Sequence, residues 1–138
     1  MAKVDTLAEM YRPMMGRPSV TRPRCAVCGR SFPLEQHHIV RRGAGKMHDE
    51  RGRELEKPTV TLCGFGSNLS DADGREFCHG LAHHNRLHFR WVESPAPDHD
   101  GRPAESLGES GLGHWEFIML PEPTAYLAAL DMDGWRRL

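Results

Sequence analysis

The chain has 138 residues, a formal net charge of -1, 38% hydrophobic residues and only 7% aromatic residues. A chain of this length can bury one modest core, so a second independent domain is not expected, and the low aromatic content favours a metal cross-link as part of the stabilisation. The N-terminus lacks an apolar signal region, and no apolar run approaches the roughly 18 residues of a membrane helix. We therefore expect a cytoplasmic protein without a membrane partner.

Charge is distributed unevenly along the chain. Residues 1–53 carry eleven Lys and Arg against five Asp and Glu, residues 54–90 carry four against five, and residues 91–138 carry three against nine. The basic first segment is compatible with a polyanionic partner. A solvated basic face with an acidic tail explains the same charges, and charge alone does not separate the two interpretations.

The first third of the chain predicts a helix, an arm, a knuckle and a strand. Apolar residues at helical spacing predict a short helix over residues 4–12, which a proline ends. Prolines among arginines predict an extended arm over residues 13–24. Two cysteines three positions apart, followed by a glycine, predict a zinc knuckle at Cys25–Gly29. A short strand is expected over Glu35–Val40.

The middle of the chain predicts a second strand and a helix. The polar, glycine-containing residues 41–57 predict a loop. The alternation of polar and apolar residues predicts a strand over Thr59–Leu62 that leads into Cys63. A turn-rich insertion follows, and residues 78–89 have helical spacing with few breakers. The order is therefore strand, loop, strand, helix, with cysteines at both ends of the unit.

The last third is expected to be less regular. Residues 93–113 are rich in Pro, Gly, Ser and Asp, which predicts a loop or linker. Residues 114–120 predict one more strand, and residues 124–130 a short helix before the acidic tail.

The four cysteines predict a closed zinc site. In a reducing compartment, a CxxC pair with two further cysteines is better explained by metal than by disulfides. Four thiolates from Cys25, Cys28, Cys63 and Cys78 would form a tetrahedral structural site. The first pair has the usual spacing of zinc ligands, whereas 14 residues separate the second pair.

The histidines predict a second, open metal site. His79 and His83 are four apart, so on a helix they share one face and can bind one cation. His84 and His88 have the same spacing, which makes the register ambiguous. We favour His79 and His83, because Cys78 would tie that end of the helix to the zinc knuckle and hence to the first strand. His37 and His38 are consecutive on a strand and point to opposite faces, so one can bind the cation while the other acts as a general base.

The motifs together resemble a known family. CxxC, then His-His-Ile, then a strand ending in Leu-Cys, then Cys-His with a further helical His resemble the HNH endonucleases, whose fold is named ββα-metal. Cys25 to Trp91, with Leu62-Cys63-Gly-x-Gly and Cys78-His79-Gly-x-Ala-His83, is most similar to the small HNH proteins of actinobacterial bacteriophages. This resemblance covers about half of the chain.

The resemblance implies an α+β fold in which a small ββα-metal core is stapled by the four-cysteine zinc site and flanked by irregular extensions. It implies an N-terminal helix and basic arm over residues 1–24, a nuclease core with the zinc knuckle over residues 25–91, and a linker, strand and acidic tail over residues 92–138.

The resemblance also implies roles for the histidines. The family's first metal ligand falls on His37, its general base on His38, and the histidine after the last zinc cysteine on His79. The additional helical ligand of bacteriocin-type members falls on His83. The middle Asn of the motif falls on Pro58, which departs from the pattern, and the candidate substitutes are Asn68 and, less well placed, Asn85.

The implied activity is hydrolysis of DNA phosphodiesters with a structural Zn²⁺ and a catalytic Mg²⁺ or Mn²⁺, although three imidazoles would also accept Zn²⁺ or Ni²⁺. No small-molecule cofactor is expected. Phosphate contacts are expected from Arg41, Arg42, Arg86 and Arg90, the last two on one helical face, although a solvated surface charge explains any single one of them. The resemblance implies a weak sequence preference, a bacterial host cytoplasm and work beside phage terminase subunits in DNA packaging.

Two other interpretations stay open. A non-catalytic zinc ribbon that binds nucleic acid or protein would need the cysteines but not His37, His38, His79 and His83. A toxin-like or homing nuclease would share the chemistry and differ in biology, and we would expect an immunity partner or a DNA-recognition domain beside it.

Overall fold

The computed structural model describes residues 9–93 and 113–138 and is a small mixed α/β structure. Two antiparallel sheets and short helices make up the described part of the chain. In chain order the elements are β1 (Leu34–His38), β2 (Thr59–Cys63), α1 (Cys78–His83), β3 (Leu87–Glu93), β4 (Gly113–Met119), α2 (Tyr126–Leu130) and β5 (Arg136–Arg137), with 3-10 turns at Arg12–Met14 and Arg42–Ala44.

The first sheet joins β1 and β2 in an antiparallel pair, with Leu34 opposite Cys63 and His38 opposite Thr59. The predicted strands are confirmed, although β1 begins one residue earlier and ends two residues earlier than expected. The N-terminal arm runs beside β2, where Val20 forms a parallel bridge with Val60. Backbone hydrogen bonds of Val20 with Thr59 and Thr61 therefore hold the arm against β2.

Helix α1 is shorter than the sequence predicts. It covers Cys78–His83, and the prediction of a helix continuing to residue 89 is wrong. The chain turns at Asn85, whose φ of 61° is left-handed, a conformation that Asn tolerates better than most residues. Leu87 then begins β3, which pairs with β4 along its whole length. His88 is therefore a strand residue, and the alternative helical pair His84 and His88 does not form.

The second sheet has the order β3-β4-β5 and is antiparallel throughout. β4 matches the strand predicted over residues 114–120 to within one residue, and α2 lies within the predicted helix over residues 124–130. The predicted linker over residues 93–113 and the start of the predicted N-terminal helix lie almost entirely outside the described residues; residues 9–11 are helical.

One core cluster draws on all three predicted segments. It contains Met14 and Val20 from the arm, Val60 and Leu62 from β2, and Trp115 from β4, all nearly fully buried. The indole of Trp115 donates a hydrogen bond to the carbonyl of Pro18 at 2.8 Å, which ties β4 to the arm. In the described residues, the arm and the C-terminal strands thus pack on the strand-strand-helix unit.

Two loops use the same turn. Asp49 Oδ1 accepts hydrogen bonds from the backbone N–H groups of Arg51 and Arg53, and Asp71 Oδ1 does the same for Asp73 and Arg75. In each case a carboxylate satisfies two backbone donors of a tight turn. The segments that follow β1 and β2 are therefore ordered locally. Within the described ranges, no helix is long and apolar enough to cross a membrane.

Candidate metal centres

The four cysteine sulfurs lie together and form what we call the sulfur cluster, Cys25, Cys28, Cys63 and Cys78. Their Sγ atoms all lie within 4.8 Å of one another, and the cysteines are free thiols. The Sγ atoms of Cys28 and Cys63 are 3.7 Å apart. Tetrahedral zinc with Zn–S distances of about 2.3 Å separates its sulfurs by roughly 3.8 Å. The donor set and its spacing therefore fit a tetrathiolate metal ion such as zinc.

Local backbone geometry aims the sulfurs at one point. Gly29, at φ 80°, closes the knuckle and donates its N–H to the carbonyl of Cys25. The N–H of Cys28 points at Cys25 Sγ at 3.5 Å, and the N–H of Cys78 points at Cys63 Sγ at 3.3 Å. Backbone amides directed at sulfur stabilise thiolate charge, as expected of a metal site that holds several thiolates.

The thiols also compete for protons. Hydrogen bonds from the side chains of Cys63 and Cys78 hold the pKa of Cys25 far below its ordinary value. The thiol of Cys63 donates a hydrogen bond to Cys25, and this bond raises the pKa of Cys63 to about 11. The thiol of Cys78 also donates to Cys25, which raises the pKa of Cys78. The cluster thus accommodates one thiolate readily, while further negative charge needs a cation to balance it.

Three histidines form a second group, the imidazole cluster of His37, His79 and His83. Their nitrogen ligand atoms lie within 4.8 Å of one another. His37 comes from β1, and the other two come from the first and last turns of α1. The Nε2 atoms of His79 and His83 are 3.1 Å apart. Two ligands about 2.1 Å from one cation are typically separated by about 3.0–3.4 Å, so the spacing fits a shared metal ion.

Two of the three imidazoles, those of His37 and His83, have a lowered pKa. Burial, and then the neighbouring rings of His79 and His83, lower the pKa of His37 to about 3. Burial and the ring of His79 also lower the pKa of His83. A neutral imidazole binds a cation without first losing a proton. The three rings of the cluster, with no fourth protein ligand among the described residues, would leave coordination positions of a bound cation open.

A glutamate that sequence reasoning missed contacts this cluster. Glu35 Oε1 accepts a hydrogen bond from His79 Nδ1 at 2.7 Å and another from the N–H of Gly66 at 2.7 Å. The bond from Gly66, followed by that from His79, lowers the pKa of Glu35 despite the opposing cost of its burial. The available signal was the two-residue spacing of Glu35 and His37, which places both side chains on one face of β1.

The imidazole cluster opens into a cavity of about 920 Å³. His38, at the end of β1, lines the same cavity without belonging to the cluster. Burial and the cations of Arg42 and Lys57 lower the pKa of His38. The remaining wall is largely apolar and includes Tyr126 and Leu127 from the C-terminal region. The predicted base and the three predicted ligands therefore share one chamber.

The four predicted phosphate-binding arginines separate into two pairs. Arg41 and Arg42 are exposed and line the cavity, and no ion pair links them to another described residue. Arg86 instead bonds to Glu76 at 2.8 Å and to the carbonyl of Leu120 at 3.0 Å.

Arg90 is held in the second sheet. It donates to Glu116 at 2.7 and 2.9 Å and stacks over Trp135. The predicted shared helical face of Arg86 and Arg90 is wrong, because the helix ends at His83 and Arg90 lies on β3. Neither side chain lines the cavity.

The candidates for the middle Asn of the motif also separate. Pro58 is buried and its carbonyl accepts the N–H of Ile39, so it supports the sheet pairing. Asn68 does not line the cavity, and its carbonyl packs tightly against Gly80 of α1. Asn85 lines the cavity, and its carbonyl accepts the N–H of Thr124 at 2.9 Å. Asn85, and not Asn68, therefore lines the cavity together with the histidines, the reverse of the sequence preference.

Comparison with protein-family models, with curated protein sequences and with solved structures found no match to this chain. The function is therefore inferred from the two clusters and from the cavity that the histidines line together with Arg41 and Arg42.

Proposed function

We propose that this chain is a metal-dependent DNA endonuclease of the HNH, ββα-metal type. One observation carries the proposal: three imidazoles, those of His37, His79 and His83, converge in a cavity that His38 also lines, within a strand-strand-helix unit. A ribbon closed by four thiolates has no need of that second cluster. The sulfur cluster supplies the structural metal, and the imidazole cluster supplies a cation site with open positions.

The imidazole cluster would hold the catalytic cation. Mg²⁺ and Mn²⁺ are the expected ions from the resemblance, while the all-nitrogen donor set suits Zn²⁺ or Ni²⁺ at least as well. When bound, a divalent ion supplies Lewis-acid polarisation of the scissile phosphate and stabilises the leaving 3′-oxygen. His37, His79 and His83 leave the remaining positions to phosphate oxygen and water.

His38 would act as the general base. Its lowered pKa keeps the ring unprotonated at neutral pH, so a ring nitrogen can accept a proton from the attacking water. It lies at the end of β1 and lines the same cavity as the three ligands of the cluster. A base that shares the cavity of the cation site can act on a water next to a bound phosphate.

The cations around the cavity would bind the DNA backbone. Arg41 and Arg42 line the cavity, and Lys57, which sequence reasoning missed, acts electrostatically on His38. Phosphate contacts of this kind bind nucleic acid with little reading of its sequence. The chain's net charge of -1 argues against tight autonomous binding. Delivery of the substrate by a larger partner, such as a phage terminase subunit, is therefore part of the proposal.

Plasmid cleavage tests the proposal. Purified protein is incubated with supercoiled plasmid in Mg²⁺, Mn²⁺, Zn²⁺ or Ni²⁺, with EDTA as the metal control. We expect nicking in at least one ion and a loss of about 10²–10⁴-fold in rate for His38→Ala, the range typical of a general base. His48→Ala is a matched control, because His48 is exposed and lies outside the cavity. Full activity of His38→Ala would remove the base.

The zinc-ribbon alternative keeps one specific observation in its favour. Four cysteines suffice to close the sulfur cluster, and that cluster alone explains the knuckle and its backbone geometry. A protein that binds DNA but cleaves none with any of the four ions would support the ribbon. In that case the His38→Ala variant would bind DNA as the parent chain does.

A further inference from the structure

We infer that Glu35 is a positioning residue for the imidazole cluster. Glu35 holds His79 in the Nδ1–H tautomer, so that the Nε2 atom of His79 faces a divalent cation. The inference rests on the metal site of the proposed function and adds what sets that site's affinity. It concerns metal binding and needs no assumption about DNA cleavage.

The hydrogen bond itself assigns the tautomer. A carboxylate only accepts hydrogen bonds, so the 2.7 Å contact between Glu35 Oε1 and His79 Nδ1 requires the proton to be on Nδ1. In a neutral ring, Nε2 then carries a free lone pair. That atom lies 3.1 Å from His83 Nε2, a distance at which the ring of His83 can donate to it in the absence of a cation.

Glu35 is itself held from a second direction. The same Oε1 accepts the N–H of Gly66 at 2.7 Å, so the carboxylate bridges the turn after β2 and the first turn of α1. His37 lies two residues further along the same face of this strand. One carboxylate therefore ties together the elements that supply the ligands.

The turn after Cys63 packs closely against the Cβ of His79. A Cβ built on Gly64 would lie 2.8 Å from His79 Cβ and 3.2 Å from Phe77 Cβ, and the φ of 147° favours glycine. His79 is only 8% exposed. The base of the His79 side chain is therefore closely packed, and the hydrogen bond with Glu35 sets the orientation of the ring. Carboxylates that orient metal-bound histidines typically change metal affinity by about 10–100-fold.

Two measurements on the full chain, loaded with one zinc per molecule, test the role. In the first, two-bond ¹H–¹⁵N correlation spectra of the parent protein report which ring nitrogen of His79 carries the proton. We expect a protonated Nδ1 and an unprotonated Nε2. A predominant Nε2–H tautomer would overturn the inference, and this result does not depend on the folding of any variant.

In the second measurement, Ni²⁺ is titrated into the parent chain and into Glu35→Gln by calorimetry. We expect Glu35→Gln to bind Ni²⁺ about 10–100-fold more weakly, with unchanged zinc content and melting temperature. Glu50→Gln is the matched control, because it removes the same charge from an exposed loop position.

The outcomes separate cleanly. Equal Ni²⁺ affinity of the parent and Glu35→Gln would overturn the positioning role, as would a parent chain that binds no Ni²⁺. Weakened binding supports it even if no plasmid is cleaved under any condition. In that event the nuclease proposal fails while the metal site and its glutamate stand.

Discussion

The sulfur cluster and the imidazole cluster are built from the same strand-strand-helix unit, yet they differ in access. Cys25, Cys63 and Cys78 are almost fully buried, with exposures of 3%, 0% and 3%. The imidazole cluster borders a cavity of about 920 Å³. Cys28 is exposed, but none of the four cysteines lines that cavity. A closed tetrathiolate site suits stabilisation, whereas three imidazoles beside open space suit the binding of a further ligand. Contact with the cavity, more than the number of ligands, therefore distinguishes the two clusters.

The position of the imidazole cluster depends on that of the sulfur cluster. Cys63 is followed by Gly64, which packs on His79, and Cys78 is followed directly by His79. Loss of metal from the sulfur cluster should therefore also disorder the imidazole cluster. Loss of an imidazole should leave the sulfurs in place, because His83 lies at the far end of α1 from Cys78. Substitutions in each cluster test this asymmetry.

Cys25→Ser should have the largest effect. We expect loss of zinc and of most folded structure, because metal binding in small zinc domains contributes about 10–16 kcal/mol of apparent free energy and whole domains are stable by only about 5–15 kcal/mol. Zinc content by atomic absorption and the far-UV circular dichroism melt measure the effect. A variant that retains zinc and melts cooperatively would contradict the tetrathiolate assignment.

Gly80→Ala should destabilise the chain by about 1–3 kcal/mol or more, as overpacking does. A Cβ at Gly80 would meet the carbonyl oxygen of Asn68 at 1.9 Å, so the insertion and α1 would have to separate. Helix propensity alone predicts the opposite sign, a stabilisation of about 1 kcal/mol. Urea denaturation measures the change in unfolding free energy. Gly43→Ala is the control, since a Cβ there meets nothing within 4 Å.

His83→Ala should affect the imidazole cluster and leave the sulfur cluster intact. His83 is exposed, so we expect a change in unfolding free energy within about 0.5 kcal/mol, as is usual at surface positions. Metal affinity at the imidazole cluster should fall at least as much as the roughly 10–100-fold expected when a supporting residue is lost. Calorimetric Ni²⁺ titration and zinc content measure the two quantities. Zinc loss in this variant would show that the coupling runs in both directions.

The smallest expected effect is that of replacing Arg41 and Arg42 together by Ala. We expect weaker DNA binding at low salt and a decrease of about 0.9 per lost phosphate contact in the salt-dependence slope. Fluorescence anisotropy of labelled duplex DNA across a salt series measures the slope. Arg51→Ala serves as the control because Arg51 is exposed and does not line the cavity. An unchanged slope in the double variant would remove these arginines from the DNA interface.

Much of the local structure follows from the sequence. The two strands of the first sheet, the start of α1 at Cys78 and the strand β4 lie within two residues of their predicted positions. The end of α1 does not, because residues 87–93 have both helical and strand character in isolation. Pairing with β4, across a long sequence separation, decides for the strand.

The potential ligands could be identified from the sequence: four thiols and paired imidazoles at spacings that one cation can use. Which of them come together depends on the tertiary structure. It brought Glu35 to His79, 44 residues away, placed His88 on a strand, and bound Arg86 and Arg90 to Glu76 and Glu116. The physical reason is that local periodicity depends on a few neighbouring residues, whereas these contacts form only when distant segments pack against one another.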